Sequence, residues 1–206
     1  MNAVFIHIPR TAGRYIMASL ALERLIYPHR AKSKFKQRGR VSFGHQDYLR
    51  LVERNTIGRE FARSAFIFTF VRDPFSRAVS HYHHTRRRHP NVLPRPTSFL
   101  EFTRNIDSYI FSKQHHRGVP GKRAFMPQVE SIRNVPVSYI GRFERLREDI
   151  AVLARVFDVS VQTAEPVGVT KHGPYREYYN TESEDNVKKY YAEDFERFGY
   201  DDHILH

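Results

Sequence analysis

Three short segments of the chain carry side chains able to do chemistry. Arg72, Arg77 and Ser80 fall within residues 64–84, SAFIFTFVRDPFSRAVSHYHH. Guanidinium groups and a hydroxyl converging where an apolar run ends describe a grip for a phosphate. Surface arginines paired with carboxylates are the ordinary alternative for the same spacing. A second segment, Arg10-Thr11-Ala12-Gly13-Arg14-Tyr15, follows another apolar run. Its centre is small and flexible, Gly13 lets the backbone approach a ligand closely, and Arg10 can neutralise anionic charge. In the third, Phe43-Gly44-His45, a histidine stands at the start of an expected helix over residues 46–54, where its imidazole can be turned into a cleft. A helix-capping or surface histidine is the ordinary alternative there, and His7, inside a strand, is expected to pack in the core. His81, His83, His84, His115 and His116 are numerous, but no carboxylate-containing pattern such as H-E-x-x-H accompanies them, so no metal is expected.

These segments need elements to hold them. Residues 65–71 form a continuous run of apolar, β-branched and aromatic side chains, the pattern of a strand buried on both faces in a parallel sheet. Pro74 ends it and suits the first turn of a helix, with Asp73 as N-cap. Residues 3–8, AVFIHI, repeat the arrangement: Pro9 stops a strand, a small-residue turn follows, and Ile16, Leu20 and Leu25 mark one side of an amphipathic helix. Strand, turn and helix, twice, aim main-chain amides at the carboxyl edge of a sheet, where anionic ligands bind in open α/β folds. A third strand is expected over residues 136–140, an amphipathic helix from about 141 to 157, a short helix capped by Thr97 or Ser98 and ending at Arg104, and a final helix over residues 181–198. The G-x-x-x-x-G-K-[ST] loop is absent.

A chain of 206 residues with 40% hydrophobic side chains and no internal repeat suits a single domain, residues 1–206. Its formal charge of +12 points to anionic partners: a nucleotide, a sulfated or carboxylated acceptor, nucleic acid or a membrane surface. Residues 28–42, PHRAKSKFKQRGRVS, are the densest basic run and read most simply as a solvated loop. With no cysteine, disulfides and thiolate metal sites are excluded. No apolar run reaches the length of a membrane span, and the first strand follows Met1 too closely for a signal peptide, so a cytoplasmic location is expected.

Residues 72–82, RDPFSRAVSHY, resemble the R-D-P-x-x-R-x-x-S-x-Y signature of sulfotransferases that use 3'-phosphoadenosine-5'-phosphosulfate (PAPS). FIHIPRTAG resembles the F-I-H-I-P-K-T-A-G opening of the same enzymes. Gly44-His45-Gln46-Asp47-Tyr48-Leu49 is similar to the G-H-x-x-[YF]-L segment of heparan sulfate and related uronosyl 2-O-sulfotransferases. GRFERLRED and the closing DFERFGYD extend the likeness over nearly the whole chain, toward the carbohydrate sulfotransferase family 2 group. The resemblance implies a P-loop-like, three-layer α/β fold with a short, mainly parallel sheet flanked by helices, and PAPS as co-substrate. It implies that Arg72 and Ser80 hold the 3'-phosphate and that the loop Arg10, Thr11, Ala12, Gly13, Arg14 and Tyr15 wraps the 5'-phosphosulfate. His45 would be the general base and Arg10 the cation on the transferring group. Lys171 and His172 are weaker candidates, from a loop that covers the cofactor in relatives. The acceptor is expected to be a hydroxyl on a carbohydrate or glycoconjugate, with no nucleic-acid partner. Two departures stand out: Arg10 replaces the usual Lys, and Arg14 and Tyr15 replace Thr or Ser. A nucleotide kinase and a non-catalytic basic module for nucleic acid or polyanions are the alternatives from other classes.

Overall fold

Ala3–Ile6 are four consecutive buried residues, and a strand so covered must have partners on both edges and layers on both faces. The computed structural model, which describes residues 1–25, 35–109, 125–162 and 172–204, supplies them. Its elements run β1 (Ala3–Ile6), α1 (Gly13–Ser19), β2 (Glu23–Arg24), β3 (Arg40–Ser42), α2 (Tyr48–Glu53), α3 (Arg59–Ser64), β4 (Phe66–Val71), α4 (Pro74–Arg88), α5 (Phe99–Arg104), β5 (Tyr139–Arg142), α6 (Leu146–Phe157), α7 (Thr181–Tyr190) and α8 (Ala192–Phe198). Contacts divide the chain into two compact units, Met1–Arg72 with Ser131–Val169, and Asp73–Glu130 with Thr170–His206.

The first unit holds the whole described sheet, five parallel strands in the order β2-β3-β1-β4-β5. Every strand therefore ends on the same edge. Ala3 and Phe5 of β1 and Phe68 and Phe70 of β4 join Ile16, Met17 and Leu20 of α1 and Ile150, Leu153 and Phe157 of α6 in one core, so those helices cover one face. Val4 and Ile6, which alternate to the other face, are buried as well. The mainly parallel α/β sheet expected from the apolar runs is thus present, with two more strands than the three legible in the pattern.

The second unit is helical. Phe75, Val79 and Tyr82 of α4, Phe99 and Phe102 of α5, Val187 of α7 and Phe195 of α8 share its core with Tyr179 and Tyr191. Asp73 caps α4 as expected, accepting from Ser76 N at 2.6 Å, and Ser98 caps α5, accepting from Glu101 N at 3.1 Å.

Several boundaries move. The helix expected to carry Leu25 stops at Ser19; Ala21 turns the chain at φ 48°, and Leu25 donates its amide to Ser42 O at 2.8 Å beside β2. The basic run is not all solvated loop: residues 26–34 lie outside the described residues, but Arg40–Ser42 is β3, with Val41 and Ser42 fully buried beside β1. Basic neighbours masked an apolar-polar alternation too short to read. The third expected strand starts at Tyr139 rather than Pro136: Pro136 has no amide to give, and Val137 donates its amide to Val135 O instead of to a neighbouring strand. The final helix breaks at Tyr191, whose hydroxyl donates to Phe125 O at 2.8 Å in the core. Among the described residues no helix is long and apolar enough to cross a membrane.

Candidate functional site

Because the sheet is parallel, the segments following β1, β3 and β5, and Arg72 directly after β4, all lie at its carboxyl edge within the first unit. The segment after β1 is strained. Arg10 has φ 71° and Ala12 has φ 62° with ψ 23°, the left-handed region, which costs a non-glycine residue about 1–2 kcal/mol. Thr11 between them is fully buried and donates from Oγ1 to Ile8 O at 2.9 Å, which holds the turn. Left-handed residues interleaved with others give the backbone form of anion-binding concavities, and strain kept this way concentrates at functional sites. Gly13 closes the loop; a Cβ there would lie 2.0 Å from Nε2 of His7, so only glycine fits against that ring. Arg14 is exposed and Tyr15 is partly buried against the sheet core.

Arg72 follows β4, and the register that pairs Val71 with Arg142 sets it next to Phe143. Its guanidinium carbon lies 4.0 Å from the Phe143 ring centroid, a cation–π contact, and Nη1 donates to Arg10 O at 3.4 Å. The guanidinium is thereby tied to the strained loop. Phe143, in GRFERLRED, is not among the residues the sequence singles out; its signal is an aromatic placed directly after a strand end.

His45 is placed by the β1–β3 register, in which Phe5 faces Ser42. Gly44, at φ 63°, turns the chain, and His45 lies 2.8 Å through Nδ1 from His7 O. A carbonyl can only accept, so Nδ1 carries the proton and the neutral ring keeps its lone pair on Nε2. The His45 and His7 rings are 4.2 Å apart. His7 is buried, as expected for a core histidine; burial foremost, then the positive fields of His45, Arg24 and Arg10, hold its pKa well below the ordinary value.

The remaining expected residues belong to the second unit or lie outside the described residues. Ser80 is 1% exposed, on α4. Arg77, expected to share a phosphate grip, is instead a core residue: it is 2% exposed, donates from Nη2 to Met126 O at 3.0 Å and faces Asp194 at 3.9 Å. Asp194 also accepts from the amides of Gln128 and Val129. Burial pushes its carboxyl up, and Arg77 with the two amides pulls it back. The spacing that suggested ligand binding serves internal pairing, since the Arg77 side chain lies on the buried side of the helix. His172 stacks on His83 with centroids 5.3 Å apart, while Lys171 lies outside the described residues. Of the candidate histidines, His81 packs edge-on against Phe125, and residues 115 and 116 lie outside the described residues. No group able to hold a metal ion occurs among the described residues.

The site therefore gathers Arg10, Thr11, Ala12, Gly13, His45 and Arg72 on one sheet edge. A loop with two left-handed residues, bearing Arg10 and bonded to the Arg72 guanidinium, suits a phosphorylated anion, and a histidine with a defined tautomer can take a proton. The model of a sulfotransferase family matches residues 2–201. No curated protein matches the chain significantly.

Proposed function

From the premise that the chain belongs to the sulfotransferase family, we propose that this enzyme transfers a sulfuryl group from PAPS to a hydroxyl of a carbohydrate or glycoconjugate, with His45 as general base. Family membership implies the co-substrate and a hydroxyl-bearing acceptor. When bound, PAPS supplies the activated sulfuryl group. The observation that carries the reading is the Nδ1–H of His45 fixed on His7 O, which makes Nε2 the unprotonated nitrogen, the form a general base for the acceptor's hydroxyl needs. Arg10 and the loop amides of residues 11–13 balance negative charge on the sulfuryl and phosphate oxygens. Arg10 keeps its proton near neutral pH, so it stabilises charge rather than protonating a leaving oxygen as a lysine could. Arg72, oriented by Phe143, would hold the 3'-phosphate. Ser80 keeps the family's 3'-phosphate role as a separate proposal, tested by Ser80→Ala.

Transfer from labelled PAPS to a panel of oligosaccharides, glycolipids and small hydroxylated metabolites tests the assignment. His45→Ala should lower turnover about 10² to 10⁴-fold, the effect of a positioned base, while adenosine 3',5'-bisphosphate still binds. The charge of +12 and the Arg10 substitution favour a second reading, a binding module for polyanions. Tight bisphosphate binding with no turnover of any acceptor in the wild type would select it.

A further inference from the structure

The buried histidine beneath the site has no role in the chemistry described so far. His7 is 8% exposed, and among the described residues its Nδ1 has no hydrogen-bond partner. A polar ring with a buried, unbonded nitrogen is a poor choice for packing alone, because an apolar side chain would fill the space without that desolvation. Its contacts are specific. The ring stacks on Phe5 at 5.5 Å, lies 4.2 Å from the His45 ring, and abuts Gly13 so closely that no Cβ would fit there. It thus touches both the strained loop and the histidine, and its own carbonyl accepts from His45 Nδ1 at 2.8 Å.

The geometry points to His7 as the positioning residue of the base: its carbonyl fixes the His45 tautomer, and its ring supports the His45 imidazole against the loop that takes the anion. The inference rests on the reading of His45 as general base. When His45 takes a proton from the acceptor, a neutral aromatic ring 4.2 Å away attracts the imidazolium, whereas a second imidazolium would repel it. The groups whose charge bears on His7 are His45, Arg24 and Arg10, all cationic or potentially so, and the first cause of its neutrality is burial. Burial disfavours charge on the His7 ring, so the proton taken up in the step belongs on His45.

His7→Leu and His7→Phe test this, each made alone and with His45→Ala. His7→Leu keeps an apolar filling but no ring; kcat should fall about tenfold, a fraction of a positioned base's contribution, with KM and bisphosphate affinity within about twofold of wild type. His7→Phe, which restores a ring, should recover most of the loss. In the His45→Ala background His7→Leu should have no further effect. Equal kcat in the Leu and Phe variants, or an undiminished loss in the His45→Ala background, would overturn the assignment. Should the larger Phe ring prevent folding against Gly13, ¹⁵N-histidine spectra of the wild type decide: an Nδ1–H tautomer for His45 and a His7 that stays neutral while His45 charges support it, and joint charging overturns it. Full turnover in His45→Ala sinks the base reading itself, whatever His7 shows.

Discussion

Arg72 and Arg77 belong to one sequence motif, yet the two units use them in opposite ways. Arg72 closes the first unit on a rim position, its flat face on Phe143 and one N–H on the Arg10 carbonyl. Arg77 is 2% exposed in the second unit, where Asp194, Met126 O and the Tyr191 ring surround it. A guanidinium on a rim costs little to keep there and can meet an anion. A buried one is held only while its partners remain, because either charge alone in the core is severely destabilising. A motif's arginines thus divide between the sheet edge and the core according to the face of the element on which each falls.

The contrast can be broken at several points. Arg77→Ala should be the most damaging, leaving Asp194 buried without its counter-charge at a cost of about 3–5 kcal/mol, seen as a large drop in the urea midpoint. A folded, undiminished Arg77→Ala that had lost nucleotide binding would reverse the two roles. Arg72→Ala should leave the midpoint nearly unchanged and erase the preference for adenosine 3',5'-bisphosphate over 5'-AMP, a preference worth about 1.5–3 kcal/mol for a charged hydrogen bond. Titration calorimetry with both nucleotides reads this, and equal affinities in the wild type would remove Arg72 from the 3'-phosphate. Phe143→Leu should take away only the support of Arg72, weakening the same preference by about 0.5–1 kcal/mol, with Phe143→Tyr restoring it.

A further expectation concerns pH and is confined to the acid range. His7 in the folded chain binds its proton well below the ordinary 6.5, so under acid the unfolded chain takes up a proton that the native one refuses. Stability should be unaffected by this group above pH 6.5 and fall as pH drops below it, by at most about 1.4 kcal/mol per pH unit. His7→Leu should flatten that part of the curve in chemical denaturation; an unchanged acid limb would mean that His7 charges freely in the fold.

Local composition sufficed for what depends on neighbours in the chain. The apolar runs at residues 3–8 and 65–71, the proline stops, the Asp73 and Ser98 caps and the loop at Arg10 through Gly13 were readable because strand burial, helix capping and turn chemistry act over a few residues. His45 was singled out by its Gly44 neighbour and the family likeness of its segment. The tautomer of His45 was not readable, since it depends on a carbonyl 38 positions away, brought near by strand register. Phe143 became the platform for Arg72 through the pairing of β4 with β5, a contact across distant residues that no local pattern carries. The same holds for β3, whose three residues gain strand character from lying between β2 and β1, and for Arg77, whose partners Met126 and Asp194 come from remote segments. Sequence determined which side chains could do chemistry and where the chain would turn. Tertiary structure decided which of them face the sheet edge and which are paired in the core, because burial and partnership are set by residues far apart along the chain.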